Sequence, residues 1–345
     1  MGLLQRCRTG ALGHAVYRCT ACGTHHAVPQ SCGNRHCPQC QGHKARQWCE
    51  KQQDRLLPCP YFLITFTVPQ ELRPLLRGHP RAGYEALFAA AAGTLRELAS
   101  NPKYVGSKNV GFTGVLHTWG RTLTYHPHVH FLVPGGGLSA DGQQWLPSRP
   151  NFFVPVRAAS VMYRAKFFAA LAPAGLAEQA RQAVGDKPWV VHSQPVGDGR
   201  RALRYLAPYV YRVALSQRRL VKCEPGPDGD GRVTFTYRKS GSRRERRMTL
   251  PAVEFLRRFM QHVLPRGFQK VRHYGFAHPR HRTKAEWLKM LVTTTLNLVY
   301  VLLVAAAPLA APPPRPTCPQ CGAAALEFLA FFPPPPRRVP PPDTS

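Results

Sequence analysis

Four cysteines in two close pairs, Cys19-x2-Cys22 and Cys37-x2-Cys40, restrict this chain more than any other feature near its amino terminus. Each C-x-x-C turn sets two thiolates on one side of a knuckle, and two knuckles complete a tetrahedral zinc site. Fourteen residues separate the pairs, close to ribbon spacing. The opening "MGLLQRCRTG" lacks the apolar core of a secretory signal, so the eleven cysteines read as metal ligands before disulfides. Cys19, Cys22, Cys37 and Cys40 are therefore the expected structural Zn²⁺ ligands. With four thiolates the site is closed, and its task is structural rather than catalytic. Cys7, Cys32 and His36 lie nearby, with His14, His25 and His26 as possible fourth ligands, so a second zinc is conceivable although no clean second knuckle is evident. "TCPQCG" (317–322) is a single knuckle without a pair.

The charge balance indicates the partner. Lys and Arg number 47 against 17 Asp and Glu, a formal charge of +30, and the basic residues run from Arg6 to Arg338. Such an excess repels itself and calls for a polyanion, which favours nucleic acid. No G-x-x-x-x-G-K-[ST] loop occurs, so no nucleotide cofactor is expected, and strand unwinding falls to a separate helicase of the host. Residues 290–311 are uncharged and long enough to span a bilayer. Thr293, Thr294, Thr295, Asn297 and Pro308 within them favour a buried helix, and membrane association is not expected.

The centre of the chain alternates β-branched or aromatic runs with helical patterns. "PYFLITFTVP" (60–69), "NVGFTGVLHTW" (109–119), "HPHVHFLVPG" (126–135) and "PWVVHSQP" (188–195) read as strands. Residues 83–98 and about 160–183 read as helices. The second and third strands can pair as a hairpin. The expected fold is α+β, an antiparallel sheet with helices on one face, preceded by a small zinc-ribbon-like module.

His128 and His130 flank Val129 at strand spacing, so both imidazoles project to one face of the sheet. His117, on the preceding strand, can reach that face. Three imidazoles hold a divalent cation and leave positions open for substrate oxygens. A lone histidine would read as a core residue, and the grouping is what separates these three from it. His126, at the strand entrance, is a weaker candidate. "RALRYLAPYVYRVALSQRRL" (201–220) places Tyr205 and Tyr209 four apart, on one face of a helix. Arg201, Arg204, Arg212, Arg218 and Arg219 surround them, suited to DNA phosphates. Alone, this stretch would read as an amphipathic helix with aromatic anchors. Pro208 inside it removes a hydrogen bond and is expected to kink the axis.

These words together resemble the two-tyrosine rolling-circle transposases of the insertion sequence 91 type, within the HUH endonuclease class. The resemblance rests on "CRTGALG" (7–13), "SCGNRHCPQCQ" (31–41), "HPHVHFLVPGGGLS" (126–139), "RYLAPYVYRVALS" (204–216) and "GFQKVRHYGF" (267–276). It implies an HUH-endonuclease-like sheet and a nuclease that cuts one DNA strand through a tyrosine and rejoins it by the reverse reaction. Carried over, His128 and His130 bind a catalytic Mg²⁺ or Mn²⁺, and Tyr205 and Tyr209 are nucleophiles. His117 as third ligand is a geometric inference. The implied partner is single-stranded or hairpin DNA at element ends, in the bacterial cytoplasm at the nucleoid. The alternative is a non-catalytic zinc-containing DNA-binding protein, an inactive copy truncated at its amino terminus.

The expected organisation is a zinc module (1–56), a catalytic domain with the tyrosine helix (57–222), and a basic DNA-binding extension (223–285). An apolar helix (286–311) and a disordered proline-rich tail (312–345) complete it.

Overall fold

The computed structural model describes residues 2–211, 214–226, 230–238, 241–242, 244–297 and 316–334. Its elements begin with α1 (Gly2–Gln5), β1 (His14–Cys19), β2 (His25–Pro29), α2 (Gly42–Gln53) and β3 (Tyr61–Thr67). There follow α3 (Arg73–Gly78), α4 (Pro80–Ser100), β4 (Phe112–Trp119), β5 (Tyr125–Pro134), β6 (Gly136–Leu138) and β7 (Trp145–Pro147). Next come α5 (Val156–Leu171), α6 (Ala177–Val184), β8 (Val190–Pro195), α7 (Arg200–Tyr211) and β9 (Leu220–Glu224). The last are β10 (Arg232–Arg238), β11 (Glu245–Pro251), α8 (Ala252–Met260), β12 (Val271–Tyr274), α9 (Ala285–Thr295) and β13 (Leu326–Phe332). They form two compact units, Gly42–Tyr300 and Met1–Gln41 with Val301–Ser345.

The larger unit is built on a five-stranded sheet of order β12-β4-β5-β3-β8, with every neighbouring pair antiparallel. The α+β antiparallel architecture read from the sequence is the one observed. Alternation along β5 divides its residues between the faces. Val129, Phe131 and Val133 enter a core with Phe62, Ile64 and Phe66 of β3 and the apolar stripes of α4 and α5. Phe131 is fully buried and meets Phe66 and Phe112 edge-on. Its ring lies where a side chain on residue 114 would stand, which is why β4 carries Gly114: an added Cβ would come within 2.7 Å of Phe131.

The opposite face is also covered. Ala202, Leu203, Leu206 and Ala207 of α7 pack there with Trp48 and Cys49 of α2, Leu132 of β5, and Leu288 and Val292 of α9. Helices thus lie on both faces, and the basic α2 buries Ala45, Trp48 and Cys49. Gly175, at a φ of 70°, separates α5 from α6 where one helix was expected. The expected basic extension, 223–285, falls within the larger unit. It forms the sheet β11-β10-β9 and then returns β12 to the edge of the main sheet beside β4.

The smaller unit holds the antiparallel sheet β13-β1-β2. Residues 326–332, expected within a disordered tail, pair with β1 along its length, from His14↔Phe332 to Cys19↔Leu326. The expected single zinc site is corrected as well: Cys19 and Cys22 do not meet Cys37 and Cys40. The reason is the hairpin between them. Cys19 closes β1 at its turn, whereas the chain leaves β2 at the other end, where Pro29 pairs with His14. Six residues of strand hold those ends roughly 20 Å apart, far beyond the reach of one ion. The thiols gather instead as Cys7, Cys32, Cys37 and Cys40, and as Cys19, Cys22, Cys318 and Cys321. All are unpaired by disulfides.

No helix among the described residues is long and apolar enough to cross a membrane. Of the 286–311 segment, α9 supplies the described part and residues 298–311 lie outside it, as does Arg212.

Candidate active site

The β4–β5 hairpin sets His117 directly opposite His128 and Val115 opposite His130. All three imidazoles stand on the face that α7 crosses, with ring centroids 4.5 to 5.1 Å apart. Their ligand nitrogens lie within 4.8 Å of one another, and each residue is buried. His128 Nδ1–H donates to the His126 carbonyl at 2.7 Å, which leaves Nε2 with its lone pair. His130 Nδ1 lies 2.8 Å from Thr65 Oγ1. The Nε2 atoms of His117 and His130 are buried without a hydrogen-bond partner.

Orphaned buried nitrogens are costly, and a cation is what these three converge on. Burial first, and the neighbouring imidazoles second, hold His117 and His128 well below the ordinary histidine range. Burial likewise lowers His130 to about 4. All three are neutral at physiological pH, the state a metal ligand requires. The donor set fits a divalent cation. His126 is directed elsewhere, since its Nδ1 accepts from Arg73 at 2.8 Å.

Tyr205 and Tyr209 face this cluster from α7. Tyr209 packs against His117 at a tilt, 3.9 Å between ring centroids, and the Tyr205 ring centre stands 5.8 Å from that of His130. The two phenol rings are 5.2 Å apart. Pro208 does not separate them: it removes one N–H donor from α7, but the helix runs on through it to Tyr211 and both tyrosines keep the same face. Tyr205 is 47% exposed, open to a substrate. Partial burial, then Tyr209, push its phenol above the ordinary value, though solvent screens the effect, and it is protonated at neutral pH.

The arginines separate into two groups. Arg201, Arg204 and Arg218 are exposed. Arg219 is committed to the fold, donating to the carbonyls of Thr236 and Arg121 at 2.8 and 2.9 Å. Sequence reasoning missed Thr65, which meets His130 only because β3 pairs with β5. It also missed Trp119, which stacks on His117 at 5.5 Å, and Lys270, whose ammonium lies 4.9 Å from the Trp119 ring centre.

A sheet-borne histidine cluster under a two-tyrosine helix, on a basic chain with a cysteine-rich unit, has the make-up of a DNA-processing enzyme. Comparison with known proteins narrows the class. The "Putative transposase" family matches residues 111–285, and the "Transposase zinc-binding domain" family matches residues 1–68. The chain is 38% identical over 303 residues to a protein of Sinorhizobium fredii described as "Putative transposase y4qJ", covering 82% of this chain and 74% of that one. It is 29% identical over 299 residues to the "Transposase for insertion sequence element IS801" of Pseudomonas savastanoi pv. phaseolicola, covering 78% and 67%. The chain belongs to the transposase family of the insertion sequence 91 type, and its amino-terminal cysteines lie in that family's zinc-binding domain.

Proposed function

We propose that this transposase nicks and rejoins single-stranded DNA through a tyrosine, by the rolling-circle route. The observation that carries the reading is the convergence of Tyr205 and Tyr209 on three buried, neutral imidazoles. Mg²⁺ or Mn²⁺ held by His117, His128 and His130 would supply Lewis-acid withdrawal of charge from the scissile phosphate. The protein's own groups do the rest. The phenol oxygen of Tyr205 or Tyr209 bonds to phosphorus as the bond to the 3′-oxygen breaks. The phenol gives up its proton, the 3′-oxygen gains one, and a 5′-phosphotyrosine remains. One phosphodiester replaces another, so the step reverses without a nucleotide cofactor. The second tyrosine on the same helix face can capture a new strand while the first remains attached.

The substrate reading rests on charge and shape. The exposed Arg201 and Arg204 on the tyrosine helix, and Arg218 just after it, are available as phosphate contacts. Farther along the β4–β5 hairpin a cleft of about 820 Å³ is lined by Arg96, Lys108, Arg280, Lys284, Phe276 and Trp287. Cations with aromatic rings suit a single strand, or the ends of a hairpin, through phosphate neutralisation and base stacking. A host helicase would expose that strand, in the bacterial cytoplasm where chromosomal DNA lies.

The test incubates labelled single-stranded element ends with protein and Mn²⁺ and looks for a denaturant-resistant protein–DNA adduct. His128→Ala with His130→Ala should abolish it, as should Tyr205→Phe with Tyr209→Phe. An adduct that survives the double tyrosine change refutes the assignment.

A further inference from the structure

We infer that the knuckle Cys318–Cys321, which lies outside both family matches, completes a second zinc tetrathiolate with Cys19 and Cys22. The site clamps the carboxy-terminal strand onto the amino-terminal hairpin.

The two knuckles are alike in sequence and in backbone. Each reads C-x-x-C-G. In the first, Gly23 N–H donates to the Cys19 carbonyl at 2.8 Å, and Cys19 N–H to the Thr24 carbonyl at 2.9 Å. In the second, Gly322 N–H donates to the Cys318 carbonyl at 2.9 Å, and Cys318 N–H to the Ala323 carbonyl at 2.8 Å. Gly23 and Gly322 have φ of 74° and 73°, the left-handed conformation that lets each turn close. Two such turns face one another, as in ribbon-type zinc sites.

Distances decide the occupant. Cys19 Sγ is 3.6 Å from Cys321 Sγ, and Cys22 Sγ is 3.8 Å from Cys318 Sγ. A tetrahedron of sulfurs at about 2.3 Å from zinc has edges of about 3.8 Å. Disulfides would need sulfurs about 2.05 Å apart. Cys318 and Cys19 are buried while Cys22 and Cys321 are exposed, so the cluster sits at the surface where an ion can enter. His26 Nε2 lies 3.2 Å from Cys318 Sγ, placed to donate to a thiolate. Cys7, Cys32, Cys37 and Cys40 form a separate set with sulfurs 3.6 to 3.7 Å apart. Neither set needs a ligand from the other.

The experiment uses the full chain purified with zinc. Metal analysis of a His128→Ala, His130→Ala chain, whose imidazole site cannot hold zinc, should give two zinc ions per chain, and adding Cys318→Ser with Cys321→Ser should give one. A single zinc in the histidine variant, or an unchanged count once the two cysteine changes are added, overturns the inference. Alkylation of the unmodified protein avoids dependence on the variant folding. Exposed Cys22 and Cys321 should resist iodoacetamide in the zinc-loaded chain, and should react together with Cys19 and Cys318 once a chelator is added. Free-thiol reactivity of Cys321 in the zinc-loaded chain counts against the site.

Discussion

Replacing Thr65 by Val isolates the part of the proposed metal site that the protein supplies indirectly. His130 Nε2 is the buried atom without a partner, so the ring's proton belongs on Nδ1 and is donated to Thr65 Oγ1 at 2.8 Å. That bond fixes both the tautomer and the plane of the ring. Losing such an outer partner costs about 10–100-fold in metal affinity, or about 1.4–2.8 kcal/mol. Valine keeps the shape and strand preference of threonine in β3. The cost to the fold is therefore that of one buried N–H without an acceptor, about 1–3 kcal/mol, which a folded domain of about 5–15 kcal/mol survives. Mn²⁺ binding is followed by the paramagnetic resonance of the free ion, and adduct formation is measured across the same titration. Affinity should fall, while the adduct rate should recover as Mn²⁺ approaches saturation. An unchanged affinity, or a deficit that saturating Mn²⁺ does not narrow, refutes the assignment of Thr65 as the positioning residue for a metal-binding His130.

Acid should destabilise the larger unit well above the carboxylate range. Burial holds His130 and His262 at about 4, so between pH 6.5 and 4 the unfolded chain takes up protons that the folded chain refuses. Stability falls as pH falls through that window, by up to ~3 kcal/mol for each such group, and a melting temperature flat from pH 6.5 to 4 would contradict it. Gly114→Ala forces a Cβ to within 2.7 Å of Phe131 and should cost about 1–3 kcal/mol in urea unfolding, with no loss expected if the two strands can part freely. Of the single tyrosine changes, Tyr205→Phe should lower the first-strand adduct more than Tyr209→Phe, because Tyr205 is the more exposed; the reverse order in a single-turnover gel assay would reassign the first nucleophile.

What could be read from the sequence was whatever a single element determines. The run 60–69 announced β3 through its branched and aromatic residues, and His128 and His130 showed a shared face through spacing alone. His117 joined them because a hairpin pairs neighbouring strands. What could not be read depended on which distant segments meet. Thr65 carries no signal until β3 is paired with β5. The cysteine sets follow from the ends of β1 and β2, and a spacing rule cannot know that a hairpin lies between the knuckles. β13 was hidden because its flanking prolines dominated the composition, although "LEFLAFF" is itself a strand-like run. Arg219 read as a phosphate ligand because its carbonyl partners come from other segments.

The pairing of β1 with β13 also imposes an order on synthesis. β1 emerges from the ribosome when nearly the whole chain is still to be made, and its neighbour Leu326–Phe332 follows roughly 300 residues later. At about 5–20 residues per second that is a wait of about 15–60 s. During it His14–Cys19 has β2 on one edge and an open edge on the other. An open strand edge invites other chains, so β1 is the place where a nascent chain is most exposed to mispairing. A chain interrupted before residue 326 never closes that edge.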